Sequence, residues 1–185
     1  RNVLRDQAYG CYEWLQGLNG GLILLSGAGA GPVGQALSRG DTSAARDAAL
    51  QFASWFPHRF YLEVQRAGRP DDEAQVRATA QLAARHHLPL VATHPIQFAR
   101  PDDYDAHETR VCIAEGEVLG NAKRVRRFTR EQYYKSQAEM EALFKDLPSA
   151  IANTAEIAKR CSLSLVLGKP QLPNFPTPIL ADGTA

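Results

Sequence analysis

Along this chain, short apolar runs alternate with longer stretches whose apolar residues recur every three or four positions. Leu22–Leu25 is a four-residue apolar run that stops at Ser26 and a glycine-rich stretch, residues 27–34. A short run bounded by turn residues predicts a buried strand. In 41–56, Ala45, Ala49, Phe52 and Phe56 fall at helical spacing, with Asp41 or Thr42 placed to cap the start. Residues 59–64 are rich in aromatic and branched side chains and predict a second strand. The helix expected over 69–87 opens on Pro70 and three acids, Asp71, Asp72 and Glu73. Carboxylates suit a helix start because the unpaired amides there carry partial positive charge. Residues 88–93 predict a third strand, and 102–116 a helix that stops at Gly116. Two further helices follow. Ser136 and Glu139 form a capping-box pair before the first, and Pro148 sits in the opening turn of the second, over 148–161. Residues 163–167 suggest one more strand. The last stretch, 169–185, holds four prolines and predicts an extended exit segment.

Strands and helices in strict alternation imply an α/β fold with a parallel sheet or barrel and outer helices. Such folds bind ligands where the C-terminal ends of the strands gather. Those ends carry Ser26–Ala28, Glu63–Gln65 and Thr93–His94, near the stretch 105–108.

Charge adds little. Twenty-one Lys and Arg face 20 Asp and Glu, a net of +1, which removes any global case for nucleic-acid binding. A local basic run, Lys123, Arg124, Arg126, Arg127 and Arg130, reads first as a solvated loop. If it bound DNA, affinity would depend steeply on salt. No apolar stretch is long enough to cross a bilayer. Cys11, Cys112 and Cys161 are widely spaced and odd in number, with neither zinc nor disulfide spacing, which fits a reducing, cytoplasmic setting. The first residue is Arg1, not Met, and the chain is expected to be a piece of a longer one.

Chemistry concentrates in Glu63, His94, Asp105 and His107. Imidazole and carboxylate together suit zinc, manganese or iron and a hydrolytic water. Asp105 and His107 lie two apart and cannot share one face of a regular helix. The competing reading makes them a cap or pair at a helix start and puts His94 on the surface. The glycine-rich stretch lacks the Lys-Ser/Thr of a phosphate loop and the register of a dinucleotide fingerprint, and reads as a turn where backbones approach closely. His58, His86 and His87 have no companion ligands and read as structural. Tyr133 and Tyr134 read as core rather than as a base-stacking platform.

Particular strings carry a family resemblance: residues 21–37, 60–71, 88–98, 102–116, 134–161 and 172–178. In order and spacing they resemble the PHP (polymerase and histidinol phosphatase) domain near the N-terminus of bacterial DNA polymerase III alpha subunits. The resemblance implies the C-terminal portion of a distorted (β/α)7 barrel over 1–168, with 169–185 as a linker toward a polymerase core. Active PHP domains hold a metal cluster and hydrolyse phosphoesters. Of the ligands that the resemblance implies, Glu63, Asp105 and His107 are kept, whereas Ala28, Ala67 and Gln97 stand where Cys, His and His are expected. His94 occupies a position that is usually not a ligand. Too few donors remain for a cluster, so the segment is expected to hold no catalytic residue and no cofactor of its own. The resemblance then implies a scaffold inside a magnesium-dependent DNA-directed DNA polymerase. Its expected partners are the proofreading exonuclease (epsilon) subunit and, through the parent chain, the other holoenzyme subunits and DNA. The alternative is a metal-dependent phosphoesterase, 3′–5′ exonuclease or pyrophosphatase.

Overall fold

A computed structural model describes residues 10–170 and 172, together with the backbone of residues 3, 4, 7 and 8. A small antiparallel pair, β1 (Val3–Leu4) and β2 (Gln7–Ala8), precedes a short helix, α1 (Tyr12–Gly17). The centre is a parallel sheet of three strands, β3 (Leu24–Leu25), β4 (Phe60–Gln65) and β5 (Leu90–Thr93), in the order β3-β4-β5. Between β3 and β4 run α2 (Pro32–Ser38) and α3 (Thr42–Trp55), and between β4 and β5 runs α4 (Asp72–His86). β4 is buried along its first five residues, as a central parallel strand covered on both faces must be.

The helix signals act as their chemistry dictates. The Asp41 carboxylate accepts the Ala44 amide at 2.9 Å and starts α3. Ala45, Ala49 and Phe52 turn inward to a core with Phe56, Phe60 and Leu62. α4 carries Asp72 and Glu73 in its first turn and ends where His87 adopts a left-handed conformation. After β5, the chain runs through a turn at Pro101–Asp103 into α5 (Tyr104–Glu115), which stops at Gly116 with φ +68°. It then returns alongside the stretch just beyond β5. The Gln97 amide donates to the Gln132 carbonyl at 2.8 Å and the Tyr134 amide to the Phe98 carbonyl at 3.0 Å, a parallel rung between Phe98 and Tyr133. α6 (Gln137–Leu143) begins with the Ser136–Glu139 capping box, and α7 (Pro148–Arg160) begins on Pro148. Phe144, fully buried between them, joins Val64, Val76, Ala92 and Ala150 in a second core.

The α/β class and the parallel strands stand. Among the described residues the sheet has three strands and does not close into a barrel. Two expectations differ. Residues 163–167 are not a strand: they are exposed and lie on no ladder, and a strand without a ladder leaves its peptide groups to water. The glycine-rich stretch holds more than a turn, because α2 begins inside it with Pro32 at its first position. Most of the proline-rich segment 169–185 lies outside the described residues.

Candidate functional site at the strand ends

The three strand ends do converge. Ser26, at the end of β3, offers its hydroxyl oxygen to the Glu63 amide at 2.9 Å. The Glu63 carboxylate, in β4, accepts from the Gly27 amide at 3.0 Å, from the Gln65 side-chain amide at 3.0 Å and from the Thr93 hydroxyl of β5. Gln65 also donates to the Thr93 oxygen at 3.0 Å. Glu63 is thus 9% exposed and spans all three strands with its hydrogen bonds. Beside it lies a polar cavity of about 210 Å³, lined in part by Ala28, Gln65, Arg69, Asp71 and Gln75.

The glycine-rich loop makes this convergence possible. A Cβ on Gly31 would lie 1.7 Å from the Ser26 carbonyl oxygen, and one on Gly34 would lie 1.9 Å from that of Ala28. Only hydrogen fits at either place, so the close-approach reading holds.

Asp105 and His107 are committed elsewhere. The Asp105 side chain is 78% exposed and pairs with Arg130 at 2.9 Å, and Arg130 also lies over the Tyr104 ring at 4.4 Å. His107 is buried, with ring centroids 5.4 Å from Phe98 and 4.8 Å from Phe128. Burial, with Arg110 nearby, pushes its pKa down, and its Nε2 makes no hydrogen bond. No hydrogen bond or ion pair among the described residues links Asp105 or His107 to Glu63. Nor do three or more His, Cys, Asp or Glu side chains among them form a group able to hold a metal ion. The metal cluster that a PHP fold implies does not fit this donor set.

His94 is half-buried, not a surface residue. Its Nε2 donates to the Glu131 carbonyl at 2.8 Å, which fixes the tautomer. Burial pushes its pKa down, partly offset by the Glu131 and Arg66 backbone. Gln97 is exposed, and its main chain serves the rung to Gln132. Ala67 is fully buried. Its amide donates to Asp72 at 2.5 Å, and its carbonyl accepts from the Thr129 hydroxyl. His58 and His87 both take left-handed backbone at turns.

The basic run is largely neutralised. Arg124 and Glu108 form a buried ion pair, Arg127 reaches Glu115 at 3.4 Å, and Arg130 holds Asp105. All three acids belong to α5, so the run is the cationic half of a local pairing rather than a free solvated loop.

Sequence reasoning missed Arg66, just past β4. Its guanidinium binds Asp146 at 2.7 and 2.9 Å, Glu73 at 2.8 and 3.2 Å and the Leu143 carbonyl at 2.7 Å, and lies 5.0 Å from the Phe144 ring centre. The Asp146 and Glu73 carboxylates raise its pKa above the ordinary arginine value. The only hint in the sequence was its place at a strand end, because its acids lie 7 and 80 positions away.

Among known proteins, the PHP domain family matches residues 3–67. The DNA polymerase III alpha subunit of Neisseria meningitidis serogroup A is 55% identical over 168 residues, 90% of this chain and 15% of that protein. That of Pseudomonas aeruginosa is 48% identical over 166 residues, 90% of this chain and 14% of that protein. The Escherichia coli K12 subunit is 46% identical over 165 residues, covering 89% and 14%. The chain therefore spans about one-seventh of the length of these relatives.

Proposed function

From a chain homologous over nine-tenths of its length to DNA polymerase III alpha subunits, we propose that this segment is a non-catalytic PHP scaffold of such a polymerase. The carrying observation is the fate of the three kept PHP ligands. Glu63 is saturated by three donors, Asp105 is held by Arg130, and His107 is packed between phenyl rings. A metal-activated water needs several such donors turned toward one point. Here each turns toward a different partner.

On this reading β3, β4 and β5 are the C-terminal part of a (β/α)7 barrel over 1–168, and 169–185 leads toward the polymerase core. The parent chain carries out magnesium-dependent DNA synthesis in the cytoplasm, with DNA and the other holoenzyme subunits as its partners. The scaffold offers its surface to the proofreading exonuclease (epsilon) subunit. Among the described residues no helix is long and apolar enough to cross a membrane.

Two measurements on the purified protein test this. Elemental analysis should find less than a tenth of an equivalent of zinc, manganese or iron, and no metal-dependent release of 3′-terminal nucleotides or phosphate. One or more tightly held ions, with cleavage lost in Asp105→Asn, would establish the phosphoesterase alternative instead. Titration with separately purified exonuclease subunit should show saturable 1:1 binding, and its absence would remove the docking role.

A further inference from the structure

A groove of about 340 Å³ lies between α3 and α4 and shares no residue with the cavity beside Glu63. Each helix lends it one side. Thr42, Ser43 and Arg46 stand on the opening turns of α3, and Ala78, Gln81 and Arg85 recur at helical spacing along α4, with His86 beside them. Leu37 of α2 and the buried Leu82 add apolar surface.

The charges along this groove have one sign. Arg46 lines it from α3 and Arg85 from α4, and among the described residues no Asp or Glu does. The acids next to it in sequence are engaged. Asp41 accepts the Ala44 amide at 2.9 Å, and Asp47 holds Nε and Nη2 of Arg46 at 2.9 and 2.7 Å, which leaves Nη1. The Arg85 guanidinium, the Gln81 side-chain amide and the hydroxyls of Thr42 and Ser43 have no hydrogen-bond or ionic partner among the described residues. A cleft with one sign of charge on walls of low polarity focuses the field and concentrates counter-ions. Because Asp41 already caps α3, the groove's pull on an anion rests on side chains from two helices and not on a helix end.

The donors select the class of anion. A guanidinium presents a planar fork suited to oxyanions, and hydroxyl and amide groups complete the shell. A tetrahedral oxyanion takes bonds from both walls at once, whereas a carboxylate has only two oxygens to share between them. No Phe, Tyr or Trp lines the groove, so it has no platform for a nucleobase or a single strand. Its volume matches about ten water molecules at roughly 30 Å³ each, room for a phosphate or diphosphate and little more.

We propose that the groove between α3 and α4 binds a small phosphoanion, inorganic phosphate or diphosphate, between Arg46 and Arg85, with the Thr42 and Ser43 hydroxyls as further donors. The bound anion bridges the two helices. The proposal stands apart from the scaffold reading, because its residues are not those of the strand ends.

Isothermal titration of the full chain with inorganic phosphate, with diphosphate and with a short single-stranded DNA, all at physiological salt, tests this. One saturable site for phosphate or diphosphate is expected, with a Kd of about a millimolar or tighter. Arg46→Gln and Arg85→Gln, both at exposed positions outside the core, should each weaken it about tenfold, the loss of one charge-assisted hydrogen bond. Arg126→Gln, at an exposed arginine of the basic run, should change nothing. Phosphoanion binding that is absent, that survives both groove substitutions, or that falls equally in Arg126→Gln would overturn the proposal. So would DNA binding that the groove substitutions abolish while phosphate and diphosphate fail to bind, which would make the groove a contact for a nucleic-acid backbone.

Discussion

Replacing Glu63 separates a structural carboxylate from a metal ligand. In Glu63→Ala, three hydrogen bonds to an ionised group disappear, each contributing roughly 1.5–3 kcal/mol in isolation. They do not add. Gln65 already lies 3.0 Å from the Thr93 oxygen, so those two side chains satisfy each other once the carboxylate is gone. The Gly27 amide has no such substitute within the protein, but Gly27 is exposed and water can take over, so the loss is that of an ordinary hydrogen bond, about 0.5–1.5 kcal/mol. Lost packing of the side-chain stem adds about 1 kcal/mol at roughly 0.8 kcal/mol per methylene. Release of a buried charge offsets a little, leaving a net loss of about 1–2 kcal/mol. Glu63→Gln keeps an acceptor for Gly27 and should cost only about 1 kcal/mol, the worth of one ordinary hydrogen bond. The assay is urea unfolding with and without EDTA, and again with added manganese or zinc. With a slope of about 2 kcal/mol per molar urea, the alanine midpoint should fall by about 0.5–1 M, equally in all three conditions. An alanine variant within 0.5 kcal/mol of the parent refutes the structural role. A parent midpoint that rises with metal, while the alanine midpoint does not, shows that the carboxylate holds a cation instead.

Two further outcomes follow from the same geometry. Gly34→Ala, whose Cβ would meet the Ala28 carbonyl oxygen at 1.9 Å, should destabilise the protein by about 2–3 kcal/mol in the same urea assay. Gly29→Ala, with its nearest neighbour at 3.7 Å, should stay within about 0.5 kcal/mol, the range of an ordinary surface change. Burial holds the pKa values of His94 and His107 below the ordinary histidine value of 6.5, so the unfolded chain takes up those protons first. Stability should be full above that value and fall as pH drops from 6.5 through the depressed folded values. His94→Gln should flatten part of that slope in urea midpoints compared across pH 7.5 to 5.

Local signals were legible wherever one element's chemistry sufficed. Asp41 and Ser136 cap the helices that they were expected to cap, and Gly116 ends its helix in the left-handed region. Alternation of apolar runs and amphipathic stretches was enough for the parallel order, since parallel neighbours need a crossover between them. The meeting of Ser26, Glu63 and Thr93 followed from that topology alone. What stayed hidden depends on residues far apart in the chain. Arg66 finds Asp146 only once α6 and α7 have packed on the sheet. Arg124 escapes water only because Glu108 is buried beside it. Helix α2 was masked by Gly34 inside it and Gly31 just before it, which are there for close approach and give a poor helical signal.

The excursion that leaves at Phe98 and comes back at Tyr133 starts and finishes on one isolated parallel bridge beyond the end of β5. Its principal ion pairs, Glu108–Arg124, Glu115–Arg127 and Asp105–Arg130, are all internal to it. Its two ends sit side by side whatever lies between them, and its charges cancel among themselves. It behaves as a cassette: length changes at the exposed tip around Gly116–Asn121 are absorbed locally, and the elements before and after it, β5 and α6, need not notice.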